Sequence, residues 1–388
     1  MRRTNLQSFF KTVVLGMCLV LGQGISAQPS APAAVPERFL DQARPAGDGV
    51  RLVVFNPIVY NLKGLVALRE KGILSVPSLT VVGVFHASQK EDFELSRKFV
   101  AENHLDWIKF HTVTAPISEA EVFIKNACTP DVEAILKQAD GVIFFGGSDI
   151  PAALFGQKTN LLSEVEDPFR NYLELSAIFQ LLGGSQAPSA KGLLEARPGF
   201  PILGICLGFQ SLNVGTGGSL QQDIWSGTYG KKTVEDVIAL GPEQWHNNPY
   251  KRLYPMDKLM PYNFHTLLLK PKGKFTEVMG FKATDHPRGL SSHHQSLAKL
   301  GRGWNTIATS RDGKVVEGIE HRRYPNVLGI QFHTEHPMLW DTEPRFRQKP
   351  GDPLTSYNAI LAGTPTSLEF NKGIWTWFGA RLVESRRH

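Results

Sequence analysis

The chain has 388 residues, 42% of them apolar and 20% charged, with a formal net charge of +6. Three cysteines exclude a disulfide framework. No Lys/Arg cluster with interleaved aromatics supports nucleic-acid binding.

At the N-terminus, Arg2, Arg3 and Lys11 surround a mostly apolar run from Thr12 to Gly22, and Ile25-Ser26-Ala27 follows. A charged start, a short apolar core and a small residue before the cut predict a secretory signal peptide over residues 1–27. The run is too short to span a membrane comfortably. Cys18 follows Met17, which is not small, and so lacks the setting of a lipidated cysteine. Removing Arg2, Arg3 and Lys11 lowers the formal charge from +6 to +3. Residues 28–48 read as a Pro/Ala-rich linker, and residues 49–388 as one large α/β domain. The expected location is the periplasm or the medium, with Cys128 and Cys206 as two free thiols.

Strand-like runs at Val50–Phe55, Leu79–Phe85, Ile108–Val113, Gly141–Phe145 and Ile202–Ile205 alternate with helical stretches. The helices are expected at Leu62–Gly72, Glu91–Asn103, Asp131–Asp140 and Pro168–Leu182. This rhythm predicts a doubly wound, mostly parallel sheet with helices on both faces. Arg170 and Glu174 stand four apart and read as a solvated helical pair. A β-rich tail follows at Leu267–Leu269, Thr306–Ser310, Val315–Glu320 and Val327–Phe332, with Asp312-Gly313 as a hairpin turn. A last helix starts near Thr366 or Ser367.

Three motifs carry chemistry. The strand ending in Gly146-Gly147-Ser148-Asp149 allows close backbone approach and an exposed N–H, while Asp149 ties down the turn. The stretch Phe200–Gln210 places Cys206 on a strand-to-helix turn, with Gly204 and Gly208 two residues to either side. That turn is crowded, and a Cβ at either glycine would clash. A thiol at a helix N-terminus is also favoured as thiolate. His333 and Glu335 end the last apolar strand; at i and i+2 they point to one side, so the carboxylate can orient the imidazole. The N–H groups of Gly147 and Leu207 make a two-donor oxyanion hole.

Taken with Gly217-Gly218-Ser219-Leu220-Gln221-Gln222-Asp223, Ser292-His293-His294-Gln295 and Glu317-Gly318-Ile319-Glu320, these motifs resemble the class I glutamine amidotransferase-like superfamily. The similarity is closest to its γ-glutamyl-γ-aminobutyrate hydrolase and γ-glutamyl hydrolase branch, peptidase family C26. The resemblance implies a flavodoxin-like fold and a cysteine hydrolase of γ-glutamyl amides. In that reading Cys206 is the nucleophile, His333 the general base and acid, and Glu335 the orienting carboxylate. Thr334 stands where relatives usually have proline, and three strand–helix units precede the Gly-Gly turn where relatives show two. Gln210, Gln222, His293 and His294 are the motif-borne candidates for contact with a small γ-glutamyl substrate. The histidines of the tail lack the spacing of a structural metal site, and no metal or cofactor is expected. The aromatic-rich stretch 225–262, with His246, reads equally as a surface excursion or as a flap over the site. The alternatives in function are a glutaminase that feeds ammonia to a synthase and a non-catalytic exported binding protein on the same fold.

Overall fold

A computed structural model describes residues 37–387, Ala46 excepted. The signal-peptide reading and the first part of the linker lie outside the described residues. Five units open the domain. They comprise β1 (Arg51–Phe55), β2 (Thr80–His86), β3 (Ile108–Val113), β4 (Gly141–Phe144) and β5 (Ile202–Ile205). After them come α1 (Val59–Glu70), α2 (Phe93–Glu102), α3 (Thr129–Gln138), α4 (Pro168–Leu182) and α5 (Leu207–Gly215) respectively. The tail supplies β6 (Leu220–Gln221), β7 (Asn263–Leu269), β8 (Arg288–Ser291), β9 (Ser296–Leu297), β10 (Trp304–Ser310), β11 (Val316–His321) and β12 (Val327–Ile330).

Ten strands form one sheet in the order β3-β2-β1-β4-β5-β12-β11-β10-β7-β8, and β6 pairs with β9 apart from it. The first six in that order run parallel, and the last four continue antiparallel. Strands buried on both faces need apolar side chains on both, which is why β1 reads RLVVF without alternation. Leu52 and Val54 enter the core that holds α1 and the C-terminal helix Ser367–Arg387; Val53 and Phe55 enter the core that holds α3, α4 and α5. The fold is therefore the expected mostly parallel α/β sheet with a β-rich C-terminal part. The hairpin turn at Asp312-Gly313 is present, with Gly313 at φ +74° and β10 antiparallel to β11.

The packed domain begins earlier than residue 49. Leu40 is buried, the Thr112 N–H donates to the carbonyl of Glu37, Arg38 pairs with Asp131, and Arg44 forks onto the buried Asp140. Two arginines that satisfy carboxylates at the ends of α3 and the start of β4 turn the last part of the linker into an edge of the domain. Among the described residues no helix is long and apolar enough to cross a membrane.

Candidate active site

Three adjacent parallel strands, β4, β5 and β12, end on one edge of the sheet, each about 4.8 Å from the next. Ile205 of β5 is in register with Ile330 of β12, and the Cys206 N–H donates to the Ile330 carbonyl at 2.9 Å. The residues that follow the three strands, Gly146-Gly147, Cys206 and His333, are thus delivered to one place by topology. Open α/β sheets bind ligands at this edge.

Cys206 has φ +52° and ψ −104°, a conformation that few non-glycine residues adopt. Strain of this kind persists where the surroundings over-determine it. A Cβ on Gly208 would lie 2.0 Å from the Phe144 carbonyl oxygen, and one on Gly204 would lie 2.6 Å from the Gly208 carbonyl oxygen. Both neighbours are backbone and cannot give way, so the turn requires glycine on each side. The elbow then opens directly into α5.

His333 Nδ1 sits 2.7 Å from Glu335 Oε1, with both side chains buried. That pairing leaves Nε2 for the sulfur. The imidazole and the thiol close over the same glycine: a methyl on Gly146 would lie 3.0 Å from His333 Cε1 and 3.4 Å from Cys206 Cβ. Burial opposes charge on the His333 ring, but the Glu335 carboxylate and the Cys206 sulfur outweigh it and hold the ring well above the ordinary imidazole range. Burial likewise opposes charge on Glu335, and the neighbouring imidazolium keeps its carboxyl below the usual range. The His333–Glu335 segment is braced from behind, where the indole N–H of Trp375 in the C-terminal helix donates to the Thr334 carbonyl at 3.0 Å.

Neither Gly147 nor Leu207 donates its backbone N–H to a partner among the described residues. Free N–H groups in so tightly packed a region are rare and mark a place for an acceptor. Arg170 sets one of them. Its Nη2 donates to the carbonyls of Phe145 and Gly146 at 2.8 and 2.9 Å, while Nε donates to Glu174 at 2.8 Å. In a trans peptide the C=O and the next N–H point in opposite directions. Holding the Gly146 carbonyl on one side turns the Gly147 N–H to the other. The Arg170–Glu174 pair is therefore not solvated, as its helical spacing suggests, but buried against the turn.

The four proposed substrate contacts separate. Gln210 is buried and donates to Gln331 at 3.1 Å. Gln222 spends both ends of its amide on Gln157, Lys158, Asn160 and Ser163, pinning the 157–163 loop. His293 is turned inward, with Nδ1 donating to the Gln295 carbonyl at 2.8 Å. Only His294 keeps an exposed edge, 24% of its side chain. It bridges Asp149, at 3.1 Å, and Asp223, at 3.4 Å, so Asp149 both ties the turn to Glu164 and holds this ring.

Burial lowers the His294 pKa, but the two carboxylates raise it to about 9, against an ordinary 6.5. A folded value above the unfolded one stabilises the fold fully below 6.5 and loses that contribution as pH rises through 9. The melting-temperature gap between wild type and His294→Asn should therefore shrink between about pH 7 and about pH 10. A gap that stays constant over that span would remove His294 from the charged bridge.

Sequence reasoning missed three further groups. Arg170 is one; a lone arginine in the largely apolar helix after the Gly-Gly turn was its available signal. Tyr262, the last residue of the 225–262 stretch, packs its ring edge-on to His333 at 6.3 Å and shares a hydroxyl contact of 3.4 Å with Tyr60. The third is a cluster of His246, His265 and His293 around Glu317, all buried. His246 is thus an interior residue, and the middle of the stretch folds on a small core of Trp225, Val237 and Trp245. Cys128 is also fully buried, and burial pushes its thiol up to about 11.

Against known proteins, the family model for peptidase C26 matches residues 81–335, more than half of the chain. A protein of Lactococcus lactis subsp. lactis named "Putative glutamine amidotransferase-like protein" is 30% identical over 215 residues, covering 55% of this chain and 73% of its own length. A glutamine amidotransferase homologue of Mycobacterium tuberculosis, similarly named, is 28% identical over 204 residues, 53% of either chain. A CTP synthase of Thermosynechococcus vestitus is 25% identical over 170 residues, 42% of this chain and 28% of its own.

Proposed function

The chain belongs to the peptidase C26 family of glutamine amidotransferase-like enzymes, and from that premise we propose that it hydrolyses γ-glutamyl amide bonds through a thioester on Cys206. The supporting observation is the meeting of a strained thiol, a His333–Glu335 pair with one free ring nitrogen, and two unpartnered N–H groups on neighbouring strand ends. Such a set does acyl transfer.

The steps follow from the positions. The Cys206 sulfur attacks the side-chain carbonyl carbon, and the oxyanion is taken by the Gly147 and Leu207 N–H groups. The C–N bond breaks as His333 Nε2–H protonates the departing amine. Water then attacks the thioester carbonyl, His333 takes its proton, and the C–S bond breaks to release free glutamate and restore the thiol. Glu335 stays ionised throughout and stabilises the imidazolium. The Arg170 clamp keeps the Gly147 donor aimed, so the oxyanion hole needs no rearrangement as charge develops.

Hydrolysis rather than ammonia donation is favoured by the N-terminal pattern of an export signal, since a synthase partner would need cytoplasmic nucleotides. On the same grounds we infer a substrate among γ-glutamyl peptides, poly-γ-glutamyl chains or cell-wall fragments. Tyr60 and Tyr262 beside His333 offer apolar walls to a leaving group larger than ammonia. A panel of γ-glutamyl compounds and free glutamine, assayed with purified mature protein, tests this. The expected result is a higher kcat/KM for the larger leaving groups. A clear preference for free glutamine would reverse the order and favour the ammonia-donating reading.

A further inference from the structure

Outside the proposed catalytic centre, three imidazoles from three separate segments converge on one carboxylate oxygen of a fourth segment. His246 comes from the 225–262 stretch, His265 from β7, His293 from the β8–β9 connection and Glu317 from β11. Glu317 Oε1 lies 3.5 Å from His246 Nδ1, 3.2 Å from His265 Nε2 and 3.7 Å from His293 Nε2. Their side chains are no more than 2% exposed.

Ordinary hydrogen bonds do not account for this arrangement. A charge-assisted N–H to carboxylate bond is about 2.7–2.9 Å long, shorter than all three separations. None of the facing atoms, including both oxygens of Glu317 and both nitrogens of His265, has a hydrogen-bond partner. His293 decides the matter most directly. Its Nδ1 faces a backbone carbonyl, which can only accept, so Nδ1 carries the proton and Nε2 presents a lone pair to the Glu317 carboxylate. On a neutral ring this turns two electron-rich groups towards each other in a buried interior, an arrangement that a cation between them relieves.

The separations fit a metal shell instead. An ion bound at about 2.0–2.1 Å by tetrahedral donors holds those donors about 3.3 Å apart. His246, His293 and Glu317 present donor atoms all within 4.8 Å of one another, while His265 falls outside that set and faces only the Glu317 oxygen. The outer contacts are those of ligand histidines: His293 donates its second nitrogen to the Gln295 carbonyl, and the second nitrogen of His246 faces the Tyr229 hydroxyl at 3.5 Å.

We propose that His246, His293 and Glu317 bind one divalent transition-metal ion of the zinc type in a buried, structural site, with His265 facing the Glu317 carboxylate as an outer contact. Imidazole and carboxylate donors suit zinc, and full burial keeps the site away from substrate. The ion staples the 225–262 stretch and the His293–Gln295 loop to the antiparallel half of the sheet. It therefore holds His294 in place without touching substrate.

The test uses the full-length mature protein purified without chelator. Elemental analysis should find one zinc per chain; removal with a strong chelator should lower the melting temperature, and added Zn2+ should restore it. Cobalt substitution should give the visible absorption bands of a tetrahedral site. Glu317→Gln should weaken zinc binding at least about 100-fold, while Cys206→Ala should bind zinc as wild type does, which separates this site from the thiol. If Glu317→Gln does not fold, the wild-type cobalt spectrum decides alone. A protein that carries substoichiometric metal, gives no cobalt bands and does not change its melting temperature with Zn2+ would overturn the proposal.

Discussion

Replacing Cys206 by alanine is expected to lower the hydrolysis of a γ-glutamyl anilide by at least roughly 10^4-fold, with the fold intact. The change removes one sulfur from a residue that is 6% exposed and forms no disulfide, so the stability cost is about 1 kcal/mol or less. The backbone of the elbow is held by Gly204, Gly208 and the bond to Ile330, none of which involves the thiol. Circular dichroism and melting temperature should therefore match wild type while anilide release vanishes. Labelling gives an independent reading: iodoacetamide should modify Cys206 rapidly at neutral pH and leave the buried Cys128 untouched. Retained anilide turnover in the alanine variant would exclude the thioester route, and equal slow labelling of both cysteines would point to an unactivated thiol.

Glu335→Gln should cost on the order of 10^2- to 10^4-fold in kcat with little change in KM. The carboxylate does two things at 2.7 Å: it fixes which ring nitrogen of His333 faces the sulfur, and its charge holds the ring well above the ordinary imidazole range. An amide of the same shape keeps the contact but removes the charge, and it can present an N–H to Nδ1, selecting the wrong tautomer. The imidazolium–sulfur pair should then persist over a narrower pH range, with its alkaline limit moved down. Steady-state kinetics across pH reads both effects. A kcat within about threefold of wild type would remove Glu335 from the assembly.

The parts of the site that were legible in the sequence are those whose constraint is local. An elbow needs its two glycines within two residues of the thiol, and a strand end places i and i+2 on one side, so short segments around Cys206 and His333 carry the geometry within themselves. The parallel strands were legible for the same reason: β1, β2 and β5 are buried on both faces, so their central residues are apolar without alternation. What escaped was set by partners far away in the chain. Arg170 looks like half of a surface pair until the Phe145 and Gly146 carbonyls are placed beside it. Gln210 and Gln222 carry amides that suit a ligand as well as a loop, and only the packed structure shows them satisfied internally. The Glu317 cluster draws on segments up to about seventy residues apart, and no spacing rule for metal ligands reaches across them. Residues 37–48 look like linker by composition, yet Arg38 and Arg44 find buried carboxylates on α3 and immediately before β4.

The bond from Trp375 to the carbonyl of Thr334 has a bearing on when the protein acquires reactivity. The elbow and the Gly-Gly turn come off the ribosome well before the helix Ser367–Arg387 that braces the base from behind. A chain emerging from its N-terminus can fold β1 to β5 early, but its thiol then faces no oriented imidazole. A molecule that has folded through β12 but lacks that helix would thus carry a correctly shaped but quiet cysteine, with competence arriving when the helix docks.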